Sequence, residues 1–372
     1  MEILEERMLR LNVFGIAVEV QCEDDLVLAD LRADFAHFEA NGSGPGQPAV
    51  SSLPGLRLGL HLQAPPYESA PWKEASVYTP RNISFREGGL TYIDYSGRAL
   101  AVFDDAKKSI EIYSFNRDLL YEAAYLFLLS QLGEQLDRRG FHRVHALGFS
   151  IHGKAALVLL PMGGGKSTLG TYLLQHSDVK ILSDDSPLID RHGRLWCFPL
   201  RIGLLPGSEG NIPPADLRCI QRMEFGPKLL LRHEFFADRI VESAPPAFIF
   251  LGRRSLASEC RIVAASRFQA LLQLIPNCIV GLGLFQGMEF VFNRGSGALT
   301  AKLAVAFSRL RNCWTLCRQV STYKLVLGRD LERNAATLIA FMEQEAAPSS
   351  GRSAPGPVQR PVQRPVAKSP SE

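Results

Sequence analysis

A run of glycines followed by a lysine and two hydroxyl residues has the clearest chemical potential in this sequence. It reads Gly163-Gly164-Gly165-Lys166-Ser167-Thr168. Glycines let consecutive backbone N–H groups approach one anion, because side chains would block that approach and some positions need a positive φ. The lysine then places a charge on the β- and γ-phosphates of a nucleotide, and the hydroxyl after it ligates Mg²⁺. The pattern predicts a phosphate-binding loop for ATP.

The position of this loop supports the prediction, although its first position differs from the standard pattern. Leu160 stands where a glycine is usual. The loop follows an apolar strand predicted over 154–160 and precedes a helix predicted from Lys166 to about His176. A helix N-terminus favours an anion through its dipole and its free N–H groups. The alternative interpretation is a glycine-rich turn with a solvated lysine, and the strand-loop-helix context favours the phosphate-binding loop.

Two adjacent aspartates, Asp184 and Asp185, end the next predicted strand, Val179–Ser183. In a parallel α/β unit this places them beside the loop, at the carboxyl edge of the sheet. Phosphoryl transfer needs a carboxylate at the metal and a group that accepts the hydroxyl proton. The pairs Asp24-Asp25 and Asp104-Asp105 do not follow such a loop, so we interpret them as caps or turns. The pair at 184–185 is predicted to be catalytic, with a turn into Ser-Pro as the structural alternative.

The stretch from His145 to Ile189 resembles the catalytic domain of the HPr kinase/phosphorylase family, a group of P-loop kinases related to folds of the phosphoenolpyruvate carboxykinase type. That family has a His-Gly segment, a β-hairpin, a G-x-x-G-x-G-K-S loop, a helix, and a strand that closes in an Asp-Asp pair. The spacing from His145 to Lys166 agrees without a gap. The resemblance is weaker in the residues after Ile189 and absent from residues 1–115.

The resemblance implies a role for each matching residue. Asp184 would be the catalytic base and Ser167 and Asp185 the Mg²⁺ ligands, with the roles of the two aspartates open to exchange. His145 would line the site near the transferred phosphate, unless it is a packed structural residue. The residues implied to bind ATP are Gly163, Gly164, Gly165, Lys166, Ser167 and Thr168, with Lys166 also catalytic.

The family's signature after the Asp pair, which engages the protein substrate, has no full counterpart here. Its nearest stand-in is Pro199–Leu204, which lacks the family's Glu, and Thr168 replaces the acid that usually follows the loop serine. Arg201 in this segment is predicted to steady transition-state charge or a substrate anion, with a solvent-exposed strand-edge arginine as the alternative. The acceptor therefore stays open: a protein, a peptide or a small molecule with a serine-type hydroxyl.

The elements around these motifs predict an α/β fold (α+β overall) in three parts. Residues 1–115 read as a strand-rich domain for partner binding or substrate presentation, with a helix from about Asp25 to Ala40 and a surface loop at 41–52. The resemblance implies that residues 116–345 form an HPr-kinase-like, ATP-binding catalytic domain. We predict that it opens with a helix capped by Asn116 and ending near Gly140, and that it contains a hairpin at 191–193. Residues 346–372 are rich in Pro, Ser and Arg and predict a disordered tail, because such a segment cannot bury enough apolar surface.

Composition limits the partners. The 372 residues are 46% hydrophobic and 21% charged, and the net charge of +3 is supplied by the tail. A nucleic-acid site would need a basic stripe on a folded face, so none is expected. Without a long apolar run or a signal pattern, we expect a cytoplasmic protein that does not enter membranes. Seven scattered cysteines predict reduced thiols. The resemblance also implies possible homo-oligomers.

The sequence thus predicts an ATP-dependent kinase that acts on a hydroxyl. The rival hypothesis is a non-catalytic, ATP-binding sensor whose nucleotide switches partner binding through the N-terminal domain. A third is a structural module with a degenerate loop. The three differ in whether Mg-ATP binds and whether its phosphate is transferred.

Overall fold

The structure, a computed structural model, describes residues 7–40, 55–204, 207, 209, 212–223, 226–279 and 298–346. Within these residues the content is mixed α/β, with strands in four sheets. The α-helices of this part are α1 (Asp25–Asp34), α2 (Arg117–Arg138), α3 (Lys166–Leu173), α4 (Arg267–Leu274), α5 (Ala298–Gln319) and α6 (Leu331–Ala346). The predicted loop at 41–52 and the predicted tail at 346–372 lie outside the described residues, apart from Ala346.

The first sheet contains eight strands from the N-terminal third of the chain. They are β1 (Met8–Val13), β2 (Ile16–Cys22), β3 (Leu56–His61), β4 (Val77–Tyr78), β5 (Ile83–Glu87), β6 (Leu90–Asp94), β7 (Ala99–Asp104) and β8 (Ser109–Ser114). Their spatial order is β1-β2-β3-β8-β7-β6-β5-β4. The pairs β2–β3 and β3–β8 are parallel, and the others are antiparallel. Side chains alternate between the core and the surface along β1, β2 and β8, as expected for a sheet covered on one face.

Helix α2 covers this sheet and shares its core. Asn116 caps the helix as predicted, because its side-chain oxygen accepts a hydrogen bond from the Leu119 N–H at 2.9 Å. Apolar side chains of α2, such as Phe127 and Leu128, lie in one cluster with those of the first sheet. The helix after the predicted boundary at 115–116 therefore packs on the strands before it, and the division into domains stays a prediction.

The central sheet carries the motifs. Its strands are β10 (Leu147–Ile151), β11 (Lys154–Leu159), β12 (Val179–Ser183), β19 (Pro246–Arg254), β20 (Arg261–Ala264) and β21 (Ser321–Leu327), in the order β12-β10-β11-β19-β21-β20. Strand β10 is antiparallel to both β11 and β12, so β11 and β12 point the same way although they do not touch. Their carboxyl ends lie at one edge of the sheet, together with the end of β19, which is parallel to β11.

Helices cover both faces of the central sheet. Helices α3 and α6 pack on one face and share a core with Phe250 and Leu325. Helices α4 and α5 pack on the other, where Ile249, Leu316 and Cys313 are buried. Because β11 and β19 are covered on both sides, they are almost continuously apolar, which is typical of buried strands in α/β proteins.

Two smaller sheets complete the surroundings of the motifs. One contains β9 (His142–Arg143), β13 (Leu188–Ile189), β14 (Leu195–Trp196) and β18 (Ser243–Ala244), and the predicted hairpin at 191–193 joins its two middle strands. The other contains β15 (Ile202–Leu204), β16 (Leu217–Ile220) and β17 (Lys228–Leu231), and β17 lies between the other two. This three-stranded sheet contributes to the cores of both larger sheets.

Two predicted helices are shorter than expected. The helix predicted to reach Ala40 ends at Asp34, because Phe35 leaves helical geometry with φ −113° and ψ 19° and a 3₁₀ turn follows. The helix predicted to reach His176 ends at Leu173. Within the described residues, every helix is too short or too polar to span a bilayer.

Candidate active site

The glycine loop joins the end of β11 to the start of α3, and each of its glycines has its own steric reason. Gly163 and Gly165 have φ values of 71° and 94°, in the left-handed region that favours glycine. A side chain at Gly164 would place its Cβ 2.8 Å from the carbonyl oxygen of Pro161. All three positions therefore require glycine for the backbone to follow this path.

Leu160, which replaces the first glycine of the standard pattern, is accommodated in the core. It is 1% exposed and belongs to the apolar cluster under α3. Gly252 in β19 makes room for it, because a Cβ there would lie 2.5 Å from Leu160 Cγ. The departure from the pattern thus leaves the loop itself unobstructed.

The start of α3 has free hydrogen-bond donors. Gly165 is the N-cap and has no side chain to cap the helix, and the first helical bond joins the Leu169 N–H to the Gly165 carbonyl. The N–H groups before Leu169 at the helix N-terminus remain available to an anion, and the helix dipole favours negative charge there. Geometry and electrostatics at this point suit a phosphate group.

Asp184 lies against the first turn of α3. Ser167 Oγ donates a hydrogen bond of 2.8 Å to Asp184 Oδ2, while Oδ1 is buried and has no partner among the described residues. Gly170, in the same helix, leaves room for β10, because a Cβ there would lie 3.0 Å from Leu147 Cδ1. A buried carboxylate oxygen without a hydrogen-bond partner is costly, so this position suits a proton or a cation.

The two neighbouring carboxyls have shifted pKa values of opposite sign. Burial, followed by the charge of Asp185, raises the pKa of Asp184 to about 6, against the opposing hydrogen bond from Ser167. Enclosure also tends to raise the pKa of Asp185, but His145 and Lys166 outweigh this effect and hold that pKa below its usual value. Asp185 is therefore ionised throughout the physiological pH range, and Asp184 exchanges a proton close to that range.

Lys166 and His145 meet beside Asp185. Lys166 Nζ donates to His145 Nε2 at 2.8 Å and to the Leu160 carbonyl at 3.3 Å, and it lies 3.6 Å from Asp185 Oδ1. His145 Nδ1 lies 3.1 Å from Asp185 Oδ1, although not in hydrogen-bond geometry. The lysine is thus held at the site by contacts that a phosphate can replace.

These groups line one cavity of about 430 Å³. Its wall contains every predicted site residue except Gly164: His145, Gly163, Gly165, Lys166, Ser167, Thr168, Asp184, Asp185 and Arg201. A volume of this size is typical of pockets for small molecules and cofactors. The fold therefore brings together residues that are far apart in the chain, while the roles assigned to them stay predictions.

Arg201 lines the cavity but is held by the N-terminal part of the chain. Its Nη1 donates to Tyr121 Oη at 2.7 Å and lies 3.3 Å from Asp34 Oδ2, and its guanidinium stacks 3.6 Å from the centre of the Tyr125 ring. Arg218 forms a second ion pair with Asp34. The solvent-exposed alternative for Arg201 is wrong, because the side chain is 9% exposed.

Sequence reasoning assigned no role to three cations in the cavity wall and one beside the loop. Arg143, Arg222 and Lys228 line the cavity. Arg254, at the end of β19, has its Nη1 3.2 Å from where a Cβ at Gly165 would be. Lys228 and Arg254 each lie at one end of a strand, and the sequence could have shown this. Only the fold brings these strand ends toward the loop.

The arrangement suits a polyphosphate with a hard cation. The loop amides and Lys166 offer positive charge, while Ser167, Asp184 and Asp185 offer the oxygen donors that Mg²⁺ prefers. The unpartnered Asp184 Oδ1 and the Asp185 carboxylate, 47% exposed and lining the cavity, fit such a cation. No model of a known protein family matches the chain, and no curated protein matches it either.

Proposed function

We propose that this protein is an ATP-dependent kinase that transfers the γ-phosphate to a serine-type hydroxyl of a protein, peptide or small molecule. The observation that supports this most is the contact between the loop and the aspartates: Ser167 meets Asp184, and Lys166 lies beside Asp185. A loop that only turned the chain would not need a lysine 7% exposed next to two carboxylates. The resemblance to the HPr kinase/phosphorylase group supports the same activity.

In this proposal, different residues have different roles in phosphoryl transfer. The loop amides and Lys166 hold the phosphates, and a bound Mg²⁺, with Ser167 and Asp185 as its protein ligands, would neutralise their charge. Asp184 takes the proton of the acceptor hydroxyl. As it does so, the hydroxyl oxygen bonds to the γ-phosphorus, and ADP leaves with the electron pair of the broken bond. The Ser167–Asp184 hydrogen bond also fits an exchange of roles between the two aspartates.

The test measures Mg-ATP binding by calorimetry and ATP turnover with a set of hydroxyl acceptors. Lys166→Ala and Asp184→Asn are compared with Lys324→Ala, which removes an exposed lysine of β21 outside the cavity wall. We expect each site variant to lower transfer by at least about 100-fold, because a general base alone contributes roughly that much. Lys324→Ala should match the wild type. Transfer that persists unchanged in both site variants would refute the proposal.

A nucleotide sensor is a second candidate, because Arg201 connects the cavity to the N-terminal part of the chain. It contacts Asp34 at the end of α1 and Tyr121 in α2. A ligand that drew Arg201 away from Asp34 would break its contacts with α1 and α2. The sensor predicts that Mg-ATP binds and that no acceptor is phosphorylated, so the same calorimetry and turnover measurements distinguish it from the kinase.

A further inference from the structure

Two cations in the cavity wall, Lys228 and Arg143, form no ion pair with any described residue. Within the described residues, Lys228 has neither a hydrogen bond nor an ion pair, and Arg143 makes one hydrogen bond, from Nη1 to the Leu129 carbonyl at 3.1 Å. Both side chains are largely enclosed, and burial lowers the pKa of each. The charge of Asp185 opposes this effect for both cations, but no carboxylate among the described residues contacts either of them. Enclosed positive charge without a contacting counter-ion is unfavourable, so these two side chains are expected to serve a ligand.

The chain makes room for both side chains with glycines. Lys228 begins β17 and passes over Gly203 of β15, where a Cβ would overlap its Cε and Nζ atoms. Arg143 ends β9 and lies against Gly133 of α2, where a Cβ would overlap its guanidinium. Any larger residue at either glycine would displace the cation. Both cations thus occupy space that a side chain at the neighbouring glycine would fill.

The proposed kinase reaction leaves these cations unused. The loop amides and Lys166 serve the nucleotide phosphates, and the aspartates serve the metal and the proton. A hydroxyl acceptor is itself neutral, so positive charge beside it would recognise some other group of the acceptor. Tyr125, Leu129 and Leu200 line the same cavity and offer apolar contact to the rest of that molecule.

We propose that Lys228 and Arg143 form a subsite for an anionic oxygen group of the acceptor, so that the acceptor carries a carboxylate or phosphate in addition to its hydroxyl. This inference rests on the proposed kinase function and names the class of its substrate. Carboxylates and phosphates are both recognised by arginine and lysine through charge-assisted hydrogen bonds. The experiment uses a carboxylate probe and a phosphate probe, so it distinguishes which of these two groups the subsite binds.

The experiment first saturates the protein with Mg²⁺ and a non-hydrolysable ATP analogue, so that the loop is already filled. Inorganic phosphate, glycerate and neutral glycerol are then titrated separately by calorimetry. We expect phosphate or glycerate to bind and glycerol not to bind. Lys228→Gln should weaken the binding of that anion at least about tenfold, as for the loss of one charge-assisted contact. Gly203→Ala keeps the charge but displaces Lys228, so it should weaken binding as well.

Lys324→Gln is the matched control, because it removes an exposed strand lysine outside the cavity wall, and its anion affinity should equal that of the wild type. If the wild type binds the analogue but neither anion, the subsite is wrong and the kinase proposal stands. If Lys228→Gln instead weakens the analogue and leaves the anion unchanged, Lys228 serves the nucleotide and the inference is also wrong. If the analogue itself does not bind, the kinase proposal fails and the inference fails with it.

Discussion

Replacing Asp34 tests the charge cluster that fixes Arg201 in the cavity wall. The Asp34 side chain is fully buried and lies between two guanidinium groups, those of Arg201 and Arg218, which are 9% and 11% exposed. Tyr121 also donates a hydrogen bond to its carboxylate. Asp34→Asn would keep the shape of the side chain but leave two enclosed positive charges without their shared counter-ion.

We expect Asp34→Asn to lower the free energy of unfolding by about 3–5 kcal/mol, the cost of removing one partner from a buried ion pair. Asp30→Asn is the matched control in the same helix. Asp30 also pairs with Arg218, at 2.9 Å, but it is 44% exposed, so its loss should cost about 1 kcal/mol or less.

Urea unfolding followed by circular dichroism measures both variants, and equal m-values would show that the comparison concerns stability alone. A loss in Asp34→Asn within about 1 kcal/mol of that in Asp30→Asn would refute the reasoning, because the burial of the pair would then carry no energetic weight. Calorimetry with Mg-ATP on the same proteins reports whether a released Arg201 changes the cavity.

Two further predictions concern the loop and the pH dependence of stability. Gly164→Ala should weaken Mg-ATP binding at least about tenfold without unfolding the protein, because its Cβ would lie 2.8 Å from the Pro161 carbonyl oxygen. Calorimetry measures the affinity and circular dichroism confirms that the variant is folded. Unchanged affinity would contradict the prediction. Burial, and then the charge of His233, lowers the pKa of His37 to about 4. Below about pH 6.5 the unfolded chain therefore binds a proton at His37 that the folded chain does not bind, so stability is lost as the pH falls. From pH 7 to pH 5 the wild type should lose about 1–2 kcal/mol more than His37→Gln in urea unfolding, and parallel curves for the two proteins would contradict this.

Local patterns determined much of the candidate site from the sequence. The glycines of the loop, the strand at Val179–Ser183 and the Asn116 cap of α2 each depend on residues close together in the chain. Backbone conformation and capping are set by such neighbours, so these features could be predicted. The helix predicted to reach Ala40 was wrong at its end, because Phe35 leaves helical geometry within an apolar pattern that continues.

Other features of the site depend on contacts between distant segments. The expectation of a parallel α/β unit placed the strand before Asp184 directly beside the strand before the loop. In the structure β10 lies between β11 and β12, and Asp184 still reaches Ser167. Asp34, in α1, determines the position of Arg201.

The sequence by itself determined that a glycine loop before a helix and a pair of aspartates after a strand exist, because glycine stereochemistry and strand periodicity are properties of short segments. Only the tertiary structure decided which cations share the cavity with them. Lys228 and Arg143 reach it because Gly203 and Gly133, each on a different element, leave space for their side chains. Such spaces arise when separate elements pack, and no local pattern of residues encodes them.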